Sequence, residues 1–185
     1  KKKHSESLKG PAAAAQANTV TIDSAARWTP EEMEKNLIAL KGSTARDDEL
    51  AYHFTNNKTA KLILSSGLRA STEGQLGGGV SVCKQPPHEM GWEQYGDGEW
   101  RATLGKQLWG EKWQEVLPGG PHADKLEMVV VVKVVRDIFI NEKYTLPGRE
   151  NVLIIPTSYL EERDGSHYYA QNKIVKIYDL RDTRS

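Results

Sequence analysis

Met128 to Val135 reads Met-Val-Val-Val-Val-Lys-Val-Val, the most apolar run in the chain, broken only by Lys133. A membrane-spanning helix takes about 20 such residues, so this run is far too short to cross a bilayer. Valine is stiff at χ1 and packs well on a pleated surface. The run is therefore a buried strand, and Ile138-Phe139-Ile140 reads as its continuation. A strand of this kind needs other elements to cover it.

Those elements are legible on either side. Thr29-Pro30-Glu31-Glu32 starts a helix: Thr29 caps it, Pro30 takes the first helical position and Glu32 completes a capping box. Met33, Leu37 and Leu40 follow at helical spacing, and Gly42 ends the run. Leu50 to Thr55 is a short strand. Asn56 and Asn57 then open a helix through Ala60, Leu62, Ile63 and Leu64, with Gly67 as a left-handed cap. Gly74 to Gly79 is a glycine turn before the strand Val80-Ser81-Val82-Cys83. A second amphipathic helix is expected from Glu99 to Val116, carrying Trp100, Leu104, Leu108, Trp109 and Trp113. Asn151 to Ile155 is another buried strand, and Tyr168 to Asp179 is a last one, broken at Asn172-Lys173. No internal repeat is visible. This order predicts one α+β domain over residues 24–185, behind a polar arm over residues 1–23.

Charge and thiol content narrow the function. Lys+Arg and Asp+Glu both number 25, so there is no global basic field to hold nucleic acid, and no nucleic-acid role is expected. Cys83 is the single cysteine, which excludes an internal disulfide framework and points to a reducing, intracellular setting. The five histidines are scattered without His-x-x-His or His-x-x-x-His spacing, so no metal site is expected. Cys83 has no base supplied by a motif and reads as a buried structural thiol. The basic Lys1-Lys2-Lys3 cluster and the tryptophan-bearing region are the candidate contacts with other protein chains.

Tyr52-His53-Phe54-Thr55, a helix ending Leu64-Ser65-Ser66-Gly67-Leu68, and Gly77-Gly78-Gly79-Val80-Ser81-Val82 follow one another in a particular order. In that order and spacing they resemble the first half of the NAD-dependent ADP-ribosyltransferases. The segment Gly67 to Gln75 is similar to a divergent variant of algae and other protists. The resemblance covers about Leu50 to Cys83, with a weaker echo from Asn151 to Leu180. It implies a split, twisted mixed sheet with a central cleft and flanking helices, and NAD as the cofactor. It also implies that His53 holds ribose hydroxyls and that Thr55 adds a hydroxyl. Gly78 and its neighbours would let the backbone approach the nicotinamide amide, since no Cβ intervenes. Arg69 is placed to meet the pyrophosphate as a bidentate donor.

Two positions depart from the family pattern. Ser81 stands where a tyrosine would stack on nicotinamide, so a ring must come from Tyr95, Trp92 or Tyr168, or be absent. His167 stands where a late strand carries the glutamate that steadies the developing positive charge on the ribose, and the nearby acids are Glu161 and Glu162. Removing one such stabilising group commonly costs several kcal/mol of barrier. The catalytic candidates are therefore His167 and Glu162, with His53, Thr55, Arg69, Gly78 and Ser81 for binding. Two functions follow: a catalytically degenerate copy kept as a structural or interaction subunit, or an active transferase or NAD glycohydrolase.

Overall fold

The structure is a computed structural model, and it describes residues 20–71, 78–92 and 100–181. Its centre is strand β5 (Met128–Val135), which pairs antiparallel along its whole length with β2 (Asp48–Thr55). On the other side β5 pairs antiparallel with β10 (Ile174–Asp179), and β1 (Ile22–Ser24) joins β10 in parallel at the edge. Beyond β2 come β4 (Val80–Cys83), β7 (Arg149–Ile155) and β6 (Thr145–Leu146). The result is a mixed seven-stranded sheet in the order β1-β10-β5-β2-β4-β7-β6. A separate three-stranded sheet, β3-β9-β8, is built from Leu68–Arg69, Ser166–Tyr169 and Glu161–Arg163.

Side chains alternate across a strand, so β5 feeds two cores at once. Val129 and Val131 face one side, where they meet Met33, Leu37, Trp92, Trp100 and Leu104. Val130, Val132 and Val134 face the other, against Ala60, Ile63, Leu68 and Tyr169. The chain is thus α+β, with helix α1 (Pro30–Gly42) and α3 (Trp100–Trp109) over the first face. Helix α2 (Asn57–Ser66) and the small sheet cover the second. No described helix is long and apolar enough to cross a membrane.

Local chemistry sets the element ends. Thr29 Oγ1 accepts from the Glu32 N–H at 3.1 Å, and Glu32 Oε1 accepts from the Thr29 N–H at 2.9 Å, closing the capping box on α1. Asn56 caps α2 by accepting from the Thr59 N–H at 2.8 Å. Gly67 ends α2 with φ 87° and ψ −177°. That is not the left-handed helical cap expected, but an extended backbone of positive φ open essentially to glycine alone. A Cβ there would run into the carbonyl oxygen of Tyr169.

Several expectations are corrected. Ile138-Phe139-Ile140 does not prolong β5: residues Arg136–Phe139 form a one-turn helix, α4. Val135 lies opposite Asp48, the first residue of β2, so the ladder has no partner past that point. The Arg136 N–H turns instead onto the Asp47 carbonyl at 2.8 Å. The helix expected to reach Val116 stops at Trp109, because Gly110 takes φ 58° and a 3-10 segment follows over Gly110–Val116. Gly105 sits inside α3 because that segment folds back on it, leaving no room for a Cβ beside Val116 and Trp113. The final run breaks where expected, at the 3-10 turn Gln171–Lys173, but its halves are not one strand: Tyr169 ends β9 in the small sheet, and Ile174 starts β10 in the large one. Ile22 and Asp23 belong to the folded body, as β1 and the Asp23–Lys176 ion pair show. The rest of the expected arm, up to residue 19, lies outside the described residues, as do residues 72–77 of the glycine turn.

Candidate functional site

The ladder between β2 and β4 has a single paired position, Tyr52 with Cys83. Next along β2, the link is made by a side chain: His53 Nδ1 lies 2.8 Å from the Ser81 carbonyl oxygen. A carbonyl only accepts, so Nδ1 carries the proton and Nε2 is left as a lone-pair acceptor. Burial holds the His53 pKa below its ordinary value, opposed by the Ser81 carbonyl bond and reinforced by the Lys125 ammonium. The ring is neutral at physiological pH, in one fixed tautomer.

His53 lines a cleft of about 280 Å³ beside the second half of α2 and the small sheet. Thr59, Leu62 and Ser66 contribute from α2, Arg69 from β3 and Tyr168 from β9. Arg69 is the direct register partner of Tyr168, which brings guanidinium and ring to the cleft together. Arg69 Nη2 donates to Ser166 Oγ at 3.1 Å and makes no ion pair among the described residues. One face of Tyr168 is covered by the Arg163 guanidinium, 4.1 Å from the ring centroid. Arg163 also donates to the Ser66 carbonyl, tying the β8–β9 hairpin to the end of α2. No carboxylate stands among the described residues lining the cleft. Its polar chemistry is one cation, one neutral imidazole, hydroxyls and an aromatic ring.

Of the residues expected at a site, His53 and Arg69 therefore share the cleft wall. Ser81 meets it through its backbone carbonyl, while its side chain is exposed and is not part of the lining. Thr55 is 6% exposed, opposite Met128 in the sheet, and does not line the cleft. Gly78, at φ 98°, and Gly79, at φ 135°, take backbone conformations that favour glycine, and neither is among the residues lining the cleft. At Gly79, however, a Cβ would strike the Ile155 carbonyl oxygen, so its close approach is to β7. His167 is the register partner of Glu162, and neither lines the cleft. Side chains alternate along β9, so turning Tyr168 to the cleft turns His167 away.

Among the three rings considered for stacking, Trp92 is sealed in the core at 2% exposure and Tyr95 lies outside the described residues. Tyr168 is at the cleft. Trp100 is likewise spent inside, at 3% exposure, and offers no outer surface. Burial pushes the Cys83 thiol up to about 12, which leaves it inert as a nucleophile. Arg163 was not among the candidates. The signal for it was Asp164-Gly165, whose positive φ values make the tight hairpin turn that sets Arg163 near Tyr168. Compared with protein-family models, curated proteins and solved structures, the chain matches none.

Proposed function

We propose that this chain is an ADP-ribosyltransferase-like domain whose cleft holds the ADP-ribose part of NAD without efficient turnover. In this role it serves as a binding subunit in an assembly with other protein chains. The observation that carries the proposal is the meeting of His53, Arg69 and Tyr168 around one cleft that no described carboxylate lines. Nε2 of a neutral His53 accepts from a ribose hydroxyl, Arg69 takes pyrophosphate oxygens, and Tyr168 offers an aromatic face to a base or nicotinamide ring. Heterolysis of the nicotinamide bond would build positive charge on the ribose, and the lining supplies no anion to steady it. Glu162 and His167 remain the residues nearest that task in the alternative reading, an active transferase or glycohydrolase.

Calorimetric titration with ADP-ribose and with NAD, together with a nicotinamide-release assay, tests this. ADP-ribose is expected to bind, and NAD no more tightly, because Ser81 has no ring to stack on nicotinamide. His53→Ala should weaken binding by about tenfold, the value of one buried hydrogen bond. Nicotinamide release should match the rate without protein. Failure of both ligands to bind would remove the cleft proposal, whereas rapid release abolished by Glu162→Gln would restore the enzyme.

A further inference from the structure

Tyr52 precedes His53 on β2, so its side chain points to the opposite face of the sheet. There it lines a separate groove of about 290 Å³ between α1, the chain after β4, and α4. Three polar groups in its wall have unmet hydrogen-bonding capacity. Tyr52 is only 5% exposed, yet its hydroxyl bonds to no described residue. His88 Nδ1 is buried with no hydrogen-bond partner among the described residues. The Lys84 ammonium donates to Thr145 Oγ1 at 3.1 Å and lies 5.4 Å from the Phe139 ring centroid; Glu142 acts on it through space, but no carboxylate among the described residues forms a direct ion pair with it. Buried polar atoms are normally satisfied, so the orphaned His88 nitrogen, beside a phenol and an ammonium with donors to spare, marks this wall as a place for a ligand.

The charges around the groove specify the ligand. Glu49 is already neutralised by Arg136, 2.9 Å away. That leaves Lys41 and Lys84 against Glu34 and Glu89, none of them ion-paired among the described residues. A polyanion would meet two carboxylates, and a simple amine two ammonium groups. A zwitterion suits both pairs. Leu37 and Phe139 supply an apolar floor, and Ile38 stands 65% exposed at the rim.

We propose that this groove binds a free α-amino acid with an apolar side chain. Its carboxylate sits on Lys84 and the Tyr52 hydroxyl, its ammonium faces Glu34 and Glu89, and its side chain lies along Leu37 and Phe139. The space is ample for one such molecule. The groove is independent of the ADP-ribose cleft, so either site stands without the other.

The test is titration of the full chain with L-phenylalanine, 3-phenylpropionate, which lacks the amine, and phenethylamine, which lacks the carboxylate. L-phenylalanine should bind, and each truncated analogue should bind at least about tenfold more weakly, the loss of one charge-assisted contact. Lys84→Gln should cost the same factor. Glu89→Gln, on the exposed rim, should weaken L-phenylalanine but leave 3-phenylpropionate unchanged, and it carries the test should Lys84→Gln fold poorly. No binding of L-phenylalanine, or 3-phenylpropionate binding as tightly as the amino acid, overturns the proposal.

Discussion

His53 does its work through two nitrogens with opposite duties. Nδ1 donates to the Ser81 carbonyl and closes the gap where the β2–β4 ladder stops, while Nε2 keeps its lone pair. Burial lowers its pKa, so the sign of its pH dependence is fixed. Below about pH 6.5, the imidazole of the unfolded chain binds a proton that the folded one refuses. The contribution of His53 to stability is full above that pH and is lost as pH falls through its lowered folded value. Thermal unfolding followed from about pH 8 to about pH 5 should therefore show a shallower acid loss for His53→Gln than for the parent. Equal slopes would mean that His53 protonates as freely in the fold as outside it. Gly67 makes a second claim at this scale. Its φ of 87° with extended ψ, and the Tyr169 carbonyl beside it, leave no place for a methyl group. Gly67→Ala should lower stability by about 1–3 kcal/mol in denaturant unfolding, and a neutral result would mean that the α2–β3 junction relaxes freely.

Among the elements, α1 is held at its start by the reciprocal Thr29 and Glu32 bonds. Thr29→Ala should cost about 1 kcal/mol, measured by chemical unfolding. The β8–β9 hairpin depends on Arg163, which bridges Tyr168 and the Ser66 carbonyl. Arg163→Ala should speed amide exchange in Ser166–Tyr169 while leaving β5 protected, because the exposed hairpin has few other ties. The elements with strong local signals were legible: the capped start of α1, the Asn56 cap of α2, and the valine run of β5. The strand–helix–strand order that places His53 near the Ser81 backbone was legible too. What the sequence hid depended on partners far along the chain. The end of β5 is set by where β2 begins, and the fold-back onto Gly105 by the 3-10 segment after α3. β3 is two residues long and exists only because β9 pairs with it, so no periodicity announces it. For the same reason Tyr168 was only one ring of three until Arg69 was seen opposite it.

At the scale of the whole molecule, the two cores lie back to back on the same strands, and β5 contributes alternate valines to each. Neither core can dissolve while the other persists, so unfolding should be a single cooperative event. Trp28, Trp92, Trp100 and Trp109 pack on the first side, and Trp113 lies against Gly105 of α3 on that same side, so tryptophan fluorescence reports one face and far-ultraviolet dichroism both. Their denaturant transitions should coincide, and separated midpoints would mean that the faces are independent. The same sheet presents His53 to one cavity and Tyr52 to another, so a single strand borders both. The central claim is that the cleft beside His53 receives ADP-ribose through the free imidazole nitrogen. The most direct measurement is nitrogen-15 NMR of the His53 ring during an ADP-ribose titration. Before ligand, the ring should show the neutral tautomer protonated at Nδ1. Saturating ADP-ribose should shift Nε2 as it accepts a hydrogen bond, with Nδ1 little changed and the Tyr168 ring resonances moving in step. A His53 ring that stays unmoved at saturation, or that is protonated at Nε2 before ligand is added, would contradict the account.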